Sequence, residues 1–351
     1  MTLRKGGEGA MKAIVFDTYG DTSVLRYAEM ERPEPGPAEV LVKVSRVGVN
    51  RLDLMARSGQ VGELALPHIS GSEVAGTVDK VGPDVALPVG TRVAVAPYLF
   101  CGQCESCLRG DETTCLQSDI LGLGSQGGYA DYVVVPAANL VAIPDRVSDS
   151  EAAALALSTV TAWHMLVDRV RVKPGDTVLV WAAGSGVGSA AIQIAKLQGA
   201  EVIACAGSDA KVERAQEEFG ARWGINYSQE DVLKRVREFT GKRGVDVVFE
   251  HLGQDTIQTS MKCLARGGRV VTCGTLTGAK APIDLWALFA KELSLVGAYG
   301  GTRDDLRAVL KAAESGRLKA VIDREYPLDE AALAQARMAD RAQYGKILLV
   351  P

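Results

Sequence analysis

Asp176-Thr-Val-Leu-Val-Trp181, Ala182-Ala-Gly-Ser-Gly-Val-Gly188, Ser189-Ala-Ala-Ile-Gln-Ile-Ala-Lys196 and Val202-Ile-Ala-Cys-Ala206 decide the fold. Val178–Trp181 is a short apolar, β-branched run that reads as a buried parallel strand. A glycine-rich turn follows at once. Good helix formers fill 189–196, Gly199 stops the helix, and 202–206 is a second buried strand. This is one βαβ unit with a right-handed crossover. Its turn leaves free N–H groups at a helix N-terminus, which suits a pyrophosphate, and its small residues let backbones approach closely. The turn is not a strict G-x-G-x-x-G: counting back from Gly188, the first two glycine positions hold Ala183 and Ser185.

Working outward, 351 residues imply two domains and a sizeable core. With 23% charged and 47% hydrophobic residues, the composition is that of an ordinary globular protein. A net charge of -4 gives no footprint for nucleic acid. No apolar run is long enough to span a bilayer. Met1–Ala10 is Gly-rich and charged without an apolar stretch, so it reads as a frayed extension rather than a signal peptide, and the cytoplasm is the expected location. A small-molecule substrate is the expected partner.

Residues 11–150 read as a β-rich, barrel-like domain. Strand-like runs at Lys12–Phe16, Val40–Gly48, Val74–Val81, Arg92–Ala96 and Tyr129–Pro136 are separated by Pro and Gly turns. Glu151–Val170 reads as one helix. Strands and helices then alternate through 151–300, which indicates a doubly wound parallel sheet, so the fold class is α/β. Expected strands are Val245–Glu250, Arg269–Cys273 and Leu293–Ala298. Expected helices are Ala210–Phe219, Gln229–Thr240 and Thr256–Leu264. Residues 301–351 are expected to return to the first domain, with helices Leu306–Ser315 and Glu330–Ala339 and a closing strand Lys346–Val350.

Cys101, Cys104, Cys107 and Cys115 give C-x2-C-x2-C-x7-C. Four thiolates in one loop (101–115) suit a tetrahedral zinc site with every position filled by protein, hence one structural zinc per chain. Overlapping pairs plus a fourth thiol argue against a redox dithiol. Cys205, Cys263 and Cys273 lie in apolar context and read as core.

The segments Gly71-Ser-Glu-Val-Ala-Gly76, the four-cysteine lobe, Gly184-Ser-Gly-Val-Gly188 and Gly345-Lys-Ile-Leu-Leu-Val350 together make the chain resemble the medium-chain dehydrogenase/reductase superfamily over 11–351. The resemblance implies a GroES-like catalytic domain and a Rossmann domain, with the active site between them. Zinc-dependent alcohol dehydrogenases of that family bind a second, catalytic zinc. Its ligand positions match Asn50, Ser72 and Leu157 here, and none is a competent ligand. The family's proton-relay positions match Leu52 and Met55. Gly48-Val-Asn50-x-x-Asp53 with Gly71-Ser-Glu73 is instead similar to the zinc-free quinone oxidoreductase and enoyl-reductase branch, in which NADPH gives hydride to a quinone or an α,β-unsaturated carbonyl. Asn50 is the candidate catalytic residue, as a donor to an enolate-type oxygen; its alternative role is to cap a turn. Val61 stands where enoyl-thioester reductases carry a tyrosine donor, which argues against that specialisation.

The resemblance also implies a cofactor site of Thr161, Ser185, Gly186, Val187, Gly188, Ser208, Lys211, Tyr227, His251, Cys273 and Gly274. Enzymes of this fold that use NAD end the second strand with an acid, and Ala206 stands there. Ser208, Lys211 and Tyr227 are placed to hold a 2′-phosphate, which favours NADPH with NADH still possible; the plainer reading has Ser208 capping a helix and Lys211 solvated. None of His68, His164 and His251 reads as the essential catalyst. A zinc-type alcohol dehydrogenase is the alternative enzyme, and a non-catalytic nucleotide-binding structural protein the alternative outside catalysis. Relatives imply a homodimer or homotetramer paired through strand Leu293–Ala298.

Overall fold

The computed structural model describes residues 9–351, which divide into two compact units: one runs up to Leu157 and includes Gly301–Pro351, the other is Ser158–Gly300. Of the frayed extension expected over 1–10, residues 1–8 lie outside the described residues, and Ala10 already begins the strand Ala10–Val15. That strand pairs antiparallel with Arg26–Glu31.

The first unit is built on a seven-stranded sheet. Its path runs Ile322–Pro327, Lys346–Val350, Glu39–Val49, Glu73–Val81, Arg92–Val95 and Leu140–Ala142, and Tyr132–Pro136 also pairs with Glu39–Val49. Val40, Val42, Val44, Val47 and Val49 of the long central strand are buried with Val74, Val93, Val133, Ile347 and Leu349. β-branched residues suit these pleated, buried surfaces. The register sets the site, because Gly48 lies opposite both Glu73 and Leu348. Two strand ends thereby converge on Asn50, where the central strand gives way to the helix Arg51–Arg57.

The helix expected over Glu151–Val170 is interrupted. It forms Asp149–Leu155, Ser158–Trp163 and a π-helical turn His164–Arg169. The first piece starts with a reciprocal cap, Ser148 N to Glu151 Oε2 at 2.9 Å and Glu151 N to Ser148 Oγ at 3.2 Å. It ends because the Leu157 N–H leaves the helical ladder and donates to the buried Glu73 Oε1 at 2.7 Å. Residues 151–157 therefore belong to the first unit, and the division between units falls at Leu157, later than position 150.

The second unit is a six-stranded parallel sheet in the order Trp223–Asn226, Glu201–Ala206, Thr177–Val180, Val245–Glu250, Leu264–Thr272, Ser294–Gly297. In chain numbering this is 3-2-1-4-5-6, the doubly wound Rossmann order. The outer strand Trp223–Asn226 carries only a weak apolar pattern, which is why the sequence reading passes over it. Between Thr177–Val180 and Val245–Glu250 the winding reverses, and ligands of such sheets gather at the carboxyl ends there. At that point the fully buried Glu250 accepts from Leu252 N at 2.7 Å, Gly253 N at 3.2 Å and Ser260 Oγ at 2.7 Å. Ser260 Oγ in turn accepts from Trp181 Nε1 at 2.8 Å.

Candidate active site, cofactor face and cysteine lobe

Asn50, Ser72 and Leu157, distant in sequence, meet around Glu73. The carboxylate accepts from Leu157 N at one oxygen and from Asn50 Nδ2 at 3.1 Å at the other. Gly48 makes room for it: a Cβ at Gly48 would lie 2.4 Å from Glu73 Oε2. The sequence reading missed the fourth member, Lys346. Its ammonium sits 2.5 Å from Glu73 Oε2, and it donates to Asn50 Oδ1 at 2.6 Å and Val49 O at 3.0 Å. Glu73 and Lys346 are both buried. The signal was a lysine opening an otherwise apolar closing strand, in a sheet where charge is costly unless paired.

The orientation of the Asn50 amide follows from its partners. Only the acceptor oxygen can face an ammonium, and only the donor nitrogen can face a carboxylate. The remaining Nδ2 bond, to Gly48 O, is long at 3.3 Å. Asn50 occupies the N-cap position of helix Arg51–Arg57, where it and Asp53 form a capping box. The Asp53 side chain accepts from Asn50 N at 2.7 Å, Tyr129 Oη at 3.0 Å and Gly71 N at 3.1 Å. Burial pushes the Asp53 carboxyl up to about 6, against the pull of those bonds and of Lys346. Burial and Asp53 together hold the Tyr129 phenol well above its ordinary value. Asp53 and Tyr129 thus brace the turn from beneath. His68 is packed as well, with Nε2 3.0 Å from Gly122 O, its ring edge-on to Phe16, and its pKa lowered by burial.

The corner does not suit a catalytic zinc. An amide already shared between Lys346 and Glu73, a hydroxyl and an alkyl group offer no thiolate or imidazole, and a cation already lies against the one carboxylate.

The cysteine lobe does fit a metal. The four Sγ atoms lie within 4.8 Å of one another. Cys101–Cys107, Cys104–Cys107 and Cys115–Cys101 are separated by 3.9, 3.5 and 3.6 Å. Zinc–sulfur bonds of about 2.3 Å in a tetrahedron place sulfurs about 3.8 Å apart. Backbone N–H groups of Gln103 and Cys104 draw the Cys101 thiol down to about 6, while burial pushes Cys107 up to about 12, a shift that a bound cation would reverse. The lobe is tied to the rest of its unit through buried Glu112, which accepts from Arg303 Nε at 2.6 Å and Arg303 N at 3.1 Å.

In the second unit, Ser185 caps helix Gly186–Leu197, its Oγ accepting from Gly188 N at 2.9 Å. Gly186 and Val187 keep first-turn N–H groups with no acceptor inside the helix. A Cβ at Gly188 would lie 2.4 Å from Ala182 O, so strand and helix approach too closely there for any side chain. These features fit a dinucleotide pyrophosphate. His251 Nε2 lies 2.9 Å from Trp181 O, bridging the two strands at the reversal point, and burial lowers its pKa. Gly274 packs so tightly on His251 that a Cβ would lie 2.3 Å from His251 O. Burial pushes the adjacent Cys273 thiol up to about 12, so it is no nucleophile. Thr161 is buried in Ser158–Trp163.

Ser208 takes the N-cap position of helix Asp209–Glu217 without a side-chain capping bond. Tyr227 Oη lies 3.1 Å from where a Cβ of Gly207, the residue before Ser208, would stand, and Lys211 lies in the first turn of the helix that Ser208 precedes. Asp209 turns toward Asn226, accepting from its Nδ2 at 2.7 Å.

A Rossmann sheet with this turn, joined in one chain to a GroES-like sheet unit, defines an NAD(P)-dependent oxidoreductase. Residues 36–145 match the alcohol dehydrogenase GroES-like domain and residues 186–315 the zinc-binding dehydrogenase domain. A quinone oxidoreductase of Pseudomonas aeruginosa is 33% identical over 350 residues, 97% of this chain and 99% of that protein. A 2-haloacrylate reductase of a Burkholderia species is 31% identical, again over 97% of this chain and 99% of that protein. Among solved structures, an NAD-dependent alcohol dehydrogenase superposes with a TM-score of 0.92 at 40% identity, covering 97% of this chain and 99% of that one. The chain belongs to the medium-chain dehydrogenase/reductase superfamily.

Glu73 and Lys346 form a pair whose members are each costly alone. Glu73→Gln and Lys346→Met should each lower the unfolding free energy by about 3–5 kcal/mol, because each leaves an uncompensated buried partner. The double substitution should cost clearly less than the sum. Urea unfolding of the four proteins measures this, and additive losses would contradict a direct ion pair.

Proposed function

We propose that the protein is an NADPH-dependent reductase that delivers hydride to a quinone or an α,β-unsaturated carbonyl compound without a catalytic metal. One observation carries this reading: where alcohol oxidation in the family relies on zinc, this chain presents Asn50, Ser72 and Leu157 around an already paired Glu73. An alcohol must lose a proton as its hydride leaves, which requires a Lewis acid or a base. A conjugated carbonyl accepts charge on its own oxygen and needs only orientation and a donor. The names of the relatives divide between the two chemistries, and the donor set of this chain supports the second.

Bound cofactor supplies the hydride. Of this chain's residues, Asn50 is the donor: its Nδ2 keeps the bond to Glu73 while a substrate oxygen replaces the weaker contact with Gly48 O. Gly186 and Val187 N–H groups hold the pyrophosphate. Ser208, Lys211 and Tyr227 hold the 2′-phosphate, with Ala206 in place of the acid that would repel it. Zinc in the Cys101–Cys115 lobe is structural, since four thiolates leave no open position.

A second copy of the chain is the proposed partner. The strand Ser294–Gly297 is an open edge of its sheet, and Leu285, Trp286 and Phe289 on the preceding helix are 67%, 70% and 67% exposed. A paired edge would cover this apolar surface. No helix among the described residues is long and apolar enough to cross a membrane.

Purified protein should consume NADPH with a simple quinone or enone and oxidise ethanol or butanol poorly. Robust alcohol oxidation that survives metal removal would overturn the reading. Lys211→Ala should weaken NADPH binding by about 1–3 kcal/mol, the range for a charge-assisted hydrogen bond, and leave NADH binding nearly unchanged. Equal losses for both cofactors would remove Lys211 from the 2′-phosphate site. Sedimentation should show a dimer or a multiple of it that Leu295→Lys dissociates; a monomeric wild type would refute the edge pairing.

A further inference from the structure

The ammonium of Lys346 is bonded to three oxygens of different kinds: a carboxylate oxygen of Glu73 at 2.5 Å, the amide oxygen of Asn50 at 2.6 Å and the carbonyl of Val49 at 3.0 Å. These partners use all three ammonium hydrogens. A carboxylate, an amide oxygen and a backbone carbonyl converging on one point are also the donors that hard cations choose. Next in sequence to Glu73, the hydroxyl of Ser72 is fully buried and makes no hydrogen bond among the described residues. The corner is therefore a small oxygen cage with an orphan hydroxyl beside it, and the protein's own side chain fills it.

We propose that Lys346 is the resident cation of this cage and that it keeps divalent metal ions out of the Asn50–Ser72–Glu73 corner. This deepens the reductase reading above and rests on its metal-free site. Several facts make the exclusion effective. The cation is covalently tethered by a strand in the middle of a sheet path, between Ile322–Pro327 and Glu39–Val49, so its local concentration is high and it cannot be washed out. A metal entering beside it would meet a like charge at close range among buried side chains. A metal displacing it would have to leave a lysine ammonium buried without partners, the costly half of a broken ion pair. Glu73 supplies the carboxylate oxygen of the cage, and Lys346 already lies against it. The same cation fixes the Asn50 oxygen inward and so leaves the NH2 group as the face that can donate. Lys346 is a positioning residue, acting through Asn50 and Glu73.

The test uses the full-length protein with its cysteine lobe first loaded with zinc, and Mn2+ as the probe because its paramagnetism counts bound ions directly. Wild type should bind no Mn2+ at this corner, even at millimolar metal. Lys346→Ala empties the cage and should bind Mn2+ stoichiometrically, tighter than wild type by about tenfold or more, a gain of about 1.4 kcal/mol at the least. Adding Glu73→Gln to that variant should abolish the gain. Lys346→Arg, which keeps the charge, should behave as wild type does. A Lys346→Ala protein that is folded by circular dichroism yet takes up no more Mn2+ than wild type would overturn the proposal. So would Mn2+ binding by wild type that Glu73→Gln removes. If Lys346→Ala does not fold, Lys346→Ser gives the same reading from a cage that retains a hydroxyl, and the wild-type arm decides independently of either. Turnover of quinone by wild type is scored separately. Its absence would sink the reductase reading and leave the Mn2+ result intact, whereas Mn2+ in the wild-type corner would sink the exclusion and leave turnover standing.

Discussion

Burying a carboxylate is costly unless its surroundings supply the charge and hydrogen bonds that water would have given. Glu73 has both: the Lys346 ammonium, the Asn50 amide and the Leu157 N–H. Much of the first unit is arranged around meeting that need. Gly48 gives up its side chain for the carboxylate, the helix before Leu157 breaks to aim an N–H at it, and residues close to the C-terminus return to place an ammonium beside it. The charge network joins segments hundreds of residues apart in sequence, so it also locks the register of three neighbouring strands.

The proposed function follows from what this network leaves over. Enzymes of the family that stabilise an alkoxide with zinc need soft or imidazole donors facing an open position. Here the corresponding positions are an amide, a hydroxyl and an alkyl group, and the charge is balanced internally. What remains is a polar corner with a fixed hydrogen-bond donor, which is the modest help that a conjugated acceptor needs. The proposed zinc in the cysteine lobe would, by contrast, serve folding. The lobe's sulfurs already stand at tetrahedral spacing, and Glu112 and Arg303 bind it to its own unit.

Much of the fold was legible because its signals are local. The turn at 182–188, with a buried strand before it and good helix formers after it, specifies a βαβ unit, and regular alternation specifies the parallel sheet. The cysteine spacing brings the four thiols together for the same reason. The strand Trp223–Asn226 was missed because four residues of mixed polarity carry too little pattern, and the break at Leu157 because its cause, Glu73, is 84 residues away. Lys346 was missed for the same kind of reason. Nothing near it in sequence says that a lysine in Lys-Ile-Leu-Leu-Val is buried; that depends on sheet order, which pairs this strand with the one carrying Asn50. Asn50 was recognised from its local motif, but the partners of its amide were not, because Glu73 and Lys346 lie 23 and 296 residues away.

The proposed hydride transfer proceeds without a metal in the Asn50–Glu73–Lys346 corner. X-ray absorption at the zinc edge, recorded on protein with bound NADPH and again during turnover of an enone or quinone, addresses it most directly. A metal-free corner gives a single shell of sulfur scatterers at about 2.3 Å, unchanged by cofactor or acceptor. A nitrogen or oxygen shell that grows with active protein and shifts when the acceptor binds would contradict it.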